Sequence, residues 1–291
     1  MGGVDPELYN TYFYVEDISG EDGNECIISR PQWENWQGIY HDDIIIFYYS
    51  FDTINWLKCP IINFTSYIKI NFGLSKRIYI KCLTPYQRLG DYTINCTKNF
   101  EVGGNVMSLI YGDNFFGKDE LLQSWSLSNL LRTKDYYTLI YANKLVLPAQ
   151  KFQNSTYVCM FFGQKNLLLP PIELPNIKRT LLSCVNLYGH MFDLCSSLIT
   201  TPIIKNEIYY QDEYESMFKE CYNIKTCKIY SKKIIENNKT TWWGLNATRI
   251  SNGTFLLPID VEWNPEDYRG KVIPVGWEIK YFNPGTDEII N

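Results

Sequence analysis

Histidine is scarce in this chain: only His41 and His190 occur among 291 residues. The nine cysteines include no Cys-x-x-Cys pair, the closest two being Cys221 and Cys227. Zinc-type ligand spacing is therefore missing, and no metal or cofactor is expected. No block of five or six basic residues occurs, and the net charge is -5 with a pI near 5.2. A phosphate-backbone binder concentrates Lys and Arg on one face, so nucleic acid is not an expected partner. No apolar run approaches the ~20 residues of a membrane span, which argues against membrane insertion. Met1 to Pro6 carry neither a basic n-region nor an apolar stretch, unlike a secretory signal. The expectation is a chain made and kept in a cytoplasm, or one whose signal has been cut away.

Catalytic motifs are missing too. There is no Gly-x-Ser-x-Gly elbow and no Walker loop. Gly103-Gly104 lacks the other glycines of a dinucleotide fingerprint and reads as a domain-linking turn. The carboxylate pairs Asp42-Asp43 and Asp212-Glu213 read as solvated faces, and His190 as a surface or capping residue with no Ser or Cys at a diagnostic spacing. The densest basic cluster, Lys225, Lys228, Lys232 and Lys233, reads as a solvated edge. No enzymatic activity is expected.

What is present is repetition. Met160-Phe161, Met191-Phe192 and Met217-Phe218 share a position, followed seven residues later by Leu167, Leu198 and Ile224. Four residues after the Met stand Gln164, Cys195 and Cys221, and a weaker upstream copy begins at Leu130-Leu131. The steps of roughly 30, 31 and 26 residues lie in the period range of repeat architectures. Cys184, Leu187, Tyr188, Met191 and Cys195 fall at helical spacing, so a short helix is expected in each unit. Short apolar runs closed by proline, Leu145 to Pro148, Leu167 to Pro170, Ile172 to Pro175 and Thr201 to Ile204, are expected as strands. A unit of one strand and one helix cannot bury its own apolar face, so units must stack. The cysteines in these apolar positions are expected as reduced, buried thiols.

Ahead of the repeats, short runs rich in β-branched and aromatic residues alternate with turn signals. They are Tyr12 to Val15, Cys26 to Ile28, Ile44 to Tyr49, Tyr67 to Ile70, Ile78 to Cys82, Thr93 to Cys96 and Phe100 to Val102. They suit an antiparallel sandwich over residues 1–102, with the repeats and a C-terminal cap over 103–291. The fold class is thus α+β. Residues 1 to about 10 read as a mobile or docking arm. Leu121, Leu122, Trp125 and Leu130 read as a capping turn or helix over the first repeat, and Trp277 to Phe282 as an edge strand against the last.

The Met-Phe-x-x-Cys-x-x-Leu phrase with its Leu-Pro strand resembles the BspA-like leucine-rich repeats. These are found in surface proteins of Bacteroidales and in virion proteins of the crAss-like phages that infect them. Gly103 to Phe115 is similar to the phrase that introduces such repeats, and Gly253-Thr254-Phe255 with Ile273 to Glu278 to their closing segment. The resemblance spans roughly Tyr12 to Phe282. It implies a leucine-rich-repeat solenoid and a structural or adhesive tail or head protein of a phage particle, made in the host cytoplasm. The implied partners are other virion proteins, further copies of the chain, and a host surface glycan or protein. A secreted bacterial adhesin is the alternative. The aromatic pairs Trp242-Trp243 and Tyr209-Tyr210 are singled out for interaction, since Tyr and Trp provide rigid amphipathic contact area.

Overall fold

The computed structural model describes residues 4–30, 45–62, 66–83, 88–176, 186–205, 214–232, 245, 249–270 and 272–290. Over these residues the protein is mostly β-sheet with few, short helices. The strands up to the first helix are β1 (Tyr14–Asp17), β2 (Glu25–Ser29), β3 (Ile46–Ser50), β4 (Leu57–Lys58), β5 (Tyr67–Asn71), β6 (Arg77–Leu83), β7 (Thr93–Cys96) and β8 (Phe100–Asn105). After α1 (Ser108–Tyr111) come β9 (Glu120–Leu121), β10 (Leu139–Val146), β11 (Lys151–Phe152), β12 (Thr226–Lys228), β13 (Thr254–Pro258), β14 (Glu278–Phe282) and β15 (Ile289–Ile290).

One sheet has the order β4-β3-β6-β1-β8-β10 and a second β5-β2-β7. Each run expected as a strand between Tyr12 and Val102 overlaps one of these strands, because alternation and branched side chains suit a half-buried pleat. Pairing among β1 to β8 is antiparallel. Val15, Ile80 and Val102 of the first sheet and Ile28, Ile94 and Cys96 of the second bury their side chains in one hydrophobic cluster.

Gly103-Gly104 is not a linking turn: both residues lie inside β8, and β10 pairs with that strand in parallel. A side chain at Gly103 would strike the Tyr14 ring, and Gly104, at φ 75°, lies against the Tyr12 carbonyl. The pair is there for close backbone approach. Nor are residues 6–10 a mobile arm. Pro6–Asn10 form a 3-10 turn whose Tyr9 carbonyl accepts from the Asn105 side chain at 2.8 Å.

Beyond β8 the chain stacks in tiers, and the expected short helices are replaced by consecutive turns. Trp125, Leu127, Asn129, Leu131 and Thr133 donate their N–H groups to carbonyls of Asn154, Thr156, Val158, Met160 and Phe162 on the next tier. Tyr157, Cys159, Phe161 and Gly163 repeat this toward Leu187, Gly189, Met191 and Asp193, and His190, Phe192 and Leu194 toward Glu215, Met217 and Lys219. The residues between them bond back three places, as Met160 does to Tyr157 and Met191 to Tyr188. An α-helix needs every N–H for its own i−4 carbonyl. Here every second one leaves for the neighbour, so no helical ladder can close.

This backbone puts Trp125, Asn129, Ser155, Cys159, Asn186, His190, Leu194, Ser216 and Glu220 at positive φ. Each non-glycine residue in that region costs of order 1 kcal/mol or more. Packing offsets the strain. Tyr157, Tyr188 and Tyr214 stack in one column, and Phe161, Phe192 and Phe218 in another with centroids 5.0 and 5.8 Å apart. The residue four after each Met ties tier to tier. The Cys195 thiol donates to the Phe161 carbonyl (3.2 Å) and that of Cys221 to the Phe192 carbonyl (3.0 Å). Gln164 does the same with its amide, reaching Leu131 O at 2.7 Å, and also the side chain of Asn95 in β7 at 2.9 Å.

On the opposite side the rungs form parallel bridges, Tyr141 to Leu169, Glu173 to Ile203 and Thr200 to Thr226, continued by β12-β13-β14. The first tier is covered by the N-terminal sheets rather than by Leu121 to Leu130. Leu89 and Ile94 donate to Ser126 and Leu130 on the turn side, and β8 pairs with β10 on the ladder side. Trp125 and Leu130 belong to the tier itself. At the other end β14 is not an edge: β15 pairs with it antiparallel.

Replacing Phe192 by Ala removes the middle ring of a column and should cost about 3–5 kcal/mol in denaturant unfolding of the full chain. Gln164→Ala should cost about 1–3 kcal/mol by stranding the Asn95 acceptor and a buried carbonyl. A loss below about 0.5 kcal/mol for both would show that the tiers do not depend on these contacts.

Candidate functional site

A cleft of about 220 Å³ opens on the ladder side. Its origin is the proline content. Ile199 donates to Leu168 O (3.2 Å), Ile203 to Ile172 O (2.8 Å) and Leu174 to Ile203 O (3.0 Å), but Pro170, Pro171 and Pro202 have no N–H to give. Two neighbouring rungs are thus pinned at their ends and unpinned between. Leu169, Pro170, Pro171, Ile172 and Ile203 form an apolar wall; Thr200 and Thr201 supply polar groups from the Ile203 stretch, and Asn143, Thr226 and Lys228 from two further stretches of backbone. With rungs ~4.8 Å apart, four of them give a cleft roughly 15 Å long.

Two cations beside it, Lys228 and Lys205, are neutralised. Lys228, buried at 7% exposure, pairs with Asp287, which also accepts from the Tyr230 hydroxyl. Its ammonium lies 4.2 Å from the centre of the Phe282 ring. Lys205 pairs with Glu173 on the other flank at 2.5 Å. Burial would raise the Asp287 carboxyl, but hydrogen bonds from Lys228 and Tyr230 outweigh it and hold the group below its ordinary 3.8. Tyr230 is pushed up by burial and by Asp287. The cleft therefore presents an apolar wall, an amide, hydroxyls and matched charges. That set suits a neutral polar ligand with an apolar face.

The sequence-selected residues fall elsewhere. Trp242, Trp243, Tyr209 and Tyr210 lie outside the described residues, as do His41, Asp42, Asp43, Cys184, Asp212 and Glu213. His190 holds Asp193 through Nδ1 at 2.8 Å on the turn side, away from the ladder, and is half-buried. Cys159, on the tier before it, is 7% exposed, and burial pushes its thiol up to about 11 against the pull of Arg132. A thiol so protonated is a weak nucleophile. Lys228 is not part of a solvated edge, as expected for the basic cluster; Lys225 is exposed and Lys232 pairs with Asp260. The eight described cysteines are free and buried. Among the described residues no group of three or more His, Cys, Asp or Glu could hold a metal ion, and no helix is long and apolar enough to cross a membrane.

Sequence reasoning passed over Asn143, Thr200 and Thr226, and read Lys228 as part of a solvated edge. The one available signal was the Pro170-Pro171 pair within a strand-like run, which denies the ladder two successive donors. The chain matches no protein-family model, no curated protein and no solved structure.

Because the folded Asp287 carboxyl lies below 3.8, the tie it makes is at full strength above that pH and is lost as pH falls through the folded value. Asp287→Asn should lower amide-exchange protection of residues 283–288 relative to wild type at pH 7. The difference should shrink in acid, as pH falls below 3.8, after correction for intrinsic rates. Equal protection at pH 7 and in acid would mean that Asp287 does not fasten this segment.

Proposed function

We propose that this chain is a non-enzymatic structural and adhesive component of a crAss-like phage virion. In this reading an antiparallel β-sandwich caps a short leucine-rich-repeat solenoid, and the loop and strand after Trp277 close its far end. The chain is made in the host cytoplasm and sits in several copies on a tail or head, in contact with other virion proteins. The sandwich docks to the particle, and the ladder cleft faces a host glycan or protein.

The observation that carries the reading is the agreement of the repeat phrase with the stack. Residues at one place in the phrase occupy one place in successive tiers: the tyrosine column, the phenylalanine column, and the side-chain donors Gln164, Cys195 and Cys221. Stacked repeats present an extended surface suited to binding rather than to turnover. The introducing phrase carries the contacts that join the two parts. The Ser108 hydroxyl takes the Phe13 N–H at 2.9 Å and donates to Ile80 O, while Asp113 takes the Tyr12 hydroxyl and the Lys81 ammonium. In the closing phrase the Trp277 indole donates to Ile250 O at 2.7 Å over Gly253, where a side chain would collide with the ring.

Mass spectrometry of purified particles tests the first half of the proposal, and stoichiometric presence in several copies is the expected result. Absence from particles, with the chain recovered from a bacterial envelope, would overturn it in favour of a secreted adhesin. For the second half, purified protein should compete with particle adsorption to host cells. Asn143→Trp, which puts a large side chain in the cleft lining, should reduce that competition at least roughly tenfold, the equivalent of ~1.4 kcal/mol of binding. Undiminished competition by the variant would remove the cleft from the proposal.

A further inference from the structure

The N-terminal core holds two thiols in a relation that the described cysteines of the tiers do not share. Cys26 of β2 and Cys96 of β7 stand directly opposite each other in an antiparallel pair, and both are wholly buried. Antiparallel partners alternate between positions that exchange backbone hydrogen bonds and positions that do not. Three separate contacts place this pair in the second class. Thr97 N–H donates to Glu25 O at 3.0 Å, so Glu25 and Thr97, one step along, are the bonded pair. Phe72 N–H donates to Asn24 O, which puts the ladder bonds of Cys26 on the β5 side. The Cys96 carbonyl points the other way, accepting from the Thr138 hydroxyl at 2.7 Å.

Partners of the second class bring their Cα atoms to about 4.5 Å with side chains on one face. A disulfide spans Cα separations of roughly 4.4–6.8 Å. Partners of this class therefore stand within the span that a disulfide bridges.

We infer that Cys26 and Cys96 are a disulfide site, reduced in a thiol-rich compartment and closed by a small oxidant outside it. With a peroxide as oxidant, one thiol is oxidised to the sulfenic acid as the O–O bond breaks and one water leaves. The second thiol displaces the hydroxyl, forming the S–S bond and releasing a second water. Two electrons pass to the peroxide. The bond closes a loop of roughly 70 residues containing β3 to β6, and cross-linking so long a loop restricts the unfolded chain strongly. It also fixes β7, the strand that passes its hydrogen bonds to the first tier. Cys59 and Cys82 lie in the same core but on other strands or loops, with no partner thiol across a ladder. Burial pushes the Cys96 thiol well up, so closure is slow and quicker at alkaline pH.

The test uses the full chain, purified reduced and then exposed to hydrogen peroxide, denatured in an alkylating agent and mapped by mass spectrometry without reduction. The expected product is one cross-linked peptide pair joining Cys26 to Cys96, lighter by two hydrogens, with the remaining cysteines alkylated. The thermal midpoint should rise by roughly 5 °C or more and return on reduction. Cys96→Ala should abolish both the link and the rise, and Cys59→Ala should keep both. Full alkylation of Cys26 and Cys96 after peroxide, a link through another cysteine, or an equal rise in Cys96→Ala would each overturn the assignment.

Discussion

The rest of the structure depends on a division of labour among backbone N–H groups. In the stacked region every second amide serves its own turn and the others serve the next tier. This single constraint excludes the helix, forces positive φ at regular intervals, and holds neighbouring tiers so close that like side chains must lie over like. The ring columns follow from it. Phe161 and Phe192 are nearly parallel, 9° apart, because their backbones are bonded through Phe161 N–H and Met191 O. The periodic residues are thus the means by which a strained backbone is held, since each buried aromatic pair contributes about 0.5–1.5 kcal/mol beyond its area.

A stack of this kind exposes its core at both ends unless something covers it. Here the two N-terminal sheets do so on two sides at once: β7 meets the turns and β8 meets the ladder. Gln164 marks the junction. Where later tiers use a cysteine that reaches only the preceding tier, Gln164 must satisfy Asn95 of β7 as well as Leu131, and a longer side chain with an amide reaches both. The departure from the repeat phrase records a change of neighbour.

Much of this was legible in the sequence, and the failures have physical causes. The strands up to Val102 were readable because alternation reports a half-buried pleat. The tier period was readable because stacking makes residues equivalent. The helix expectation failed over its described part, Leu187 to Cys195, because spacing of three and four residues marks any coil of similar pitch, and it is blind to where the amides point. Gly103-Gly104 suggested a turn because glycine serves tight turns and close approach alike, and only the Tyr14 ring and Tyr12 carbonyl decide between them. Lys228 looked solvated because its partner, Asp287, is remote in sequence. The cleft was the least legible part. It arises from donors that prolines lack, at positions whose neighbours are set by the stack.

Parallel rungs have no inherent stopping point, since the last rung of one molecule offers the pattern that the first rung of another would match. β15 reverses direction against β14 and is two residues long. A very short antiparallel strand cannot carry the parallel register onward, so the parallel ladder of β12, β13 and β14 stops at β15.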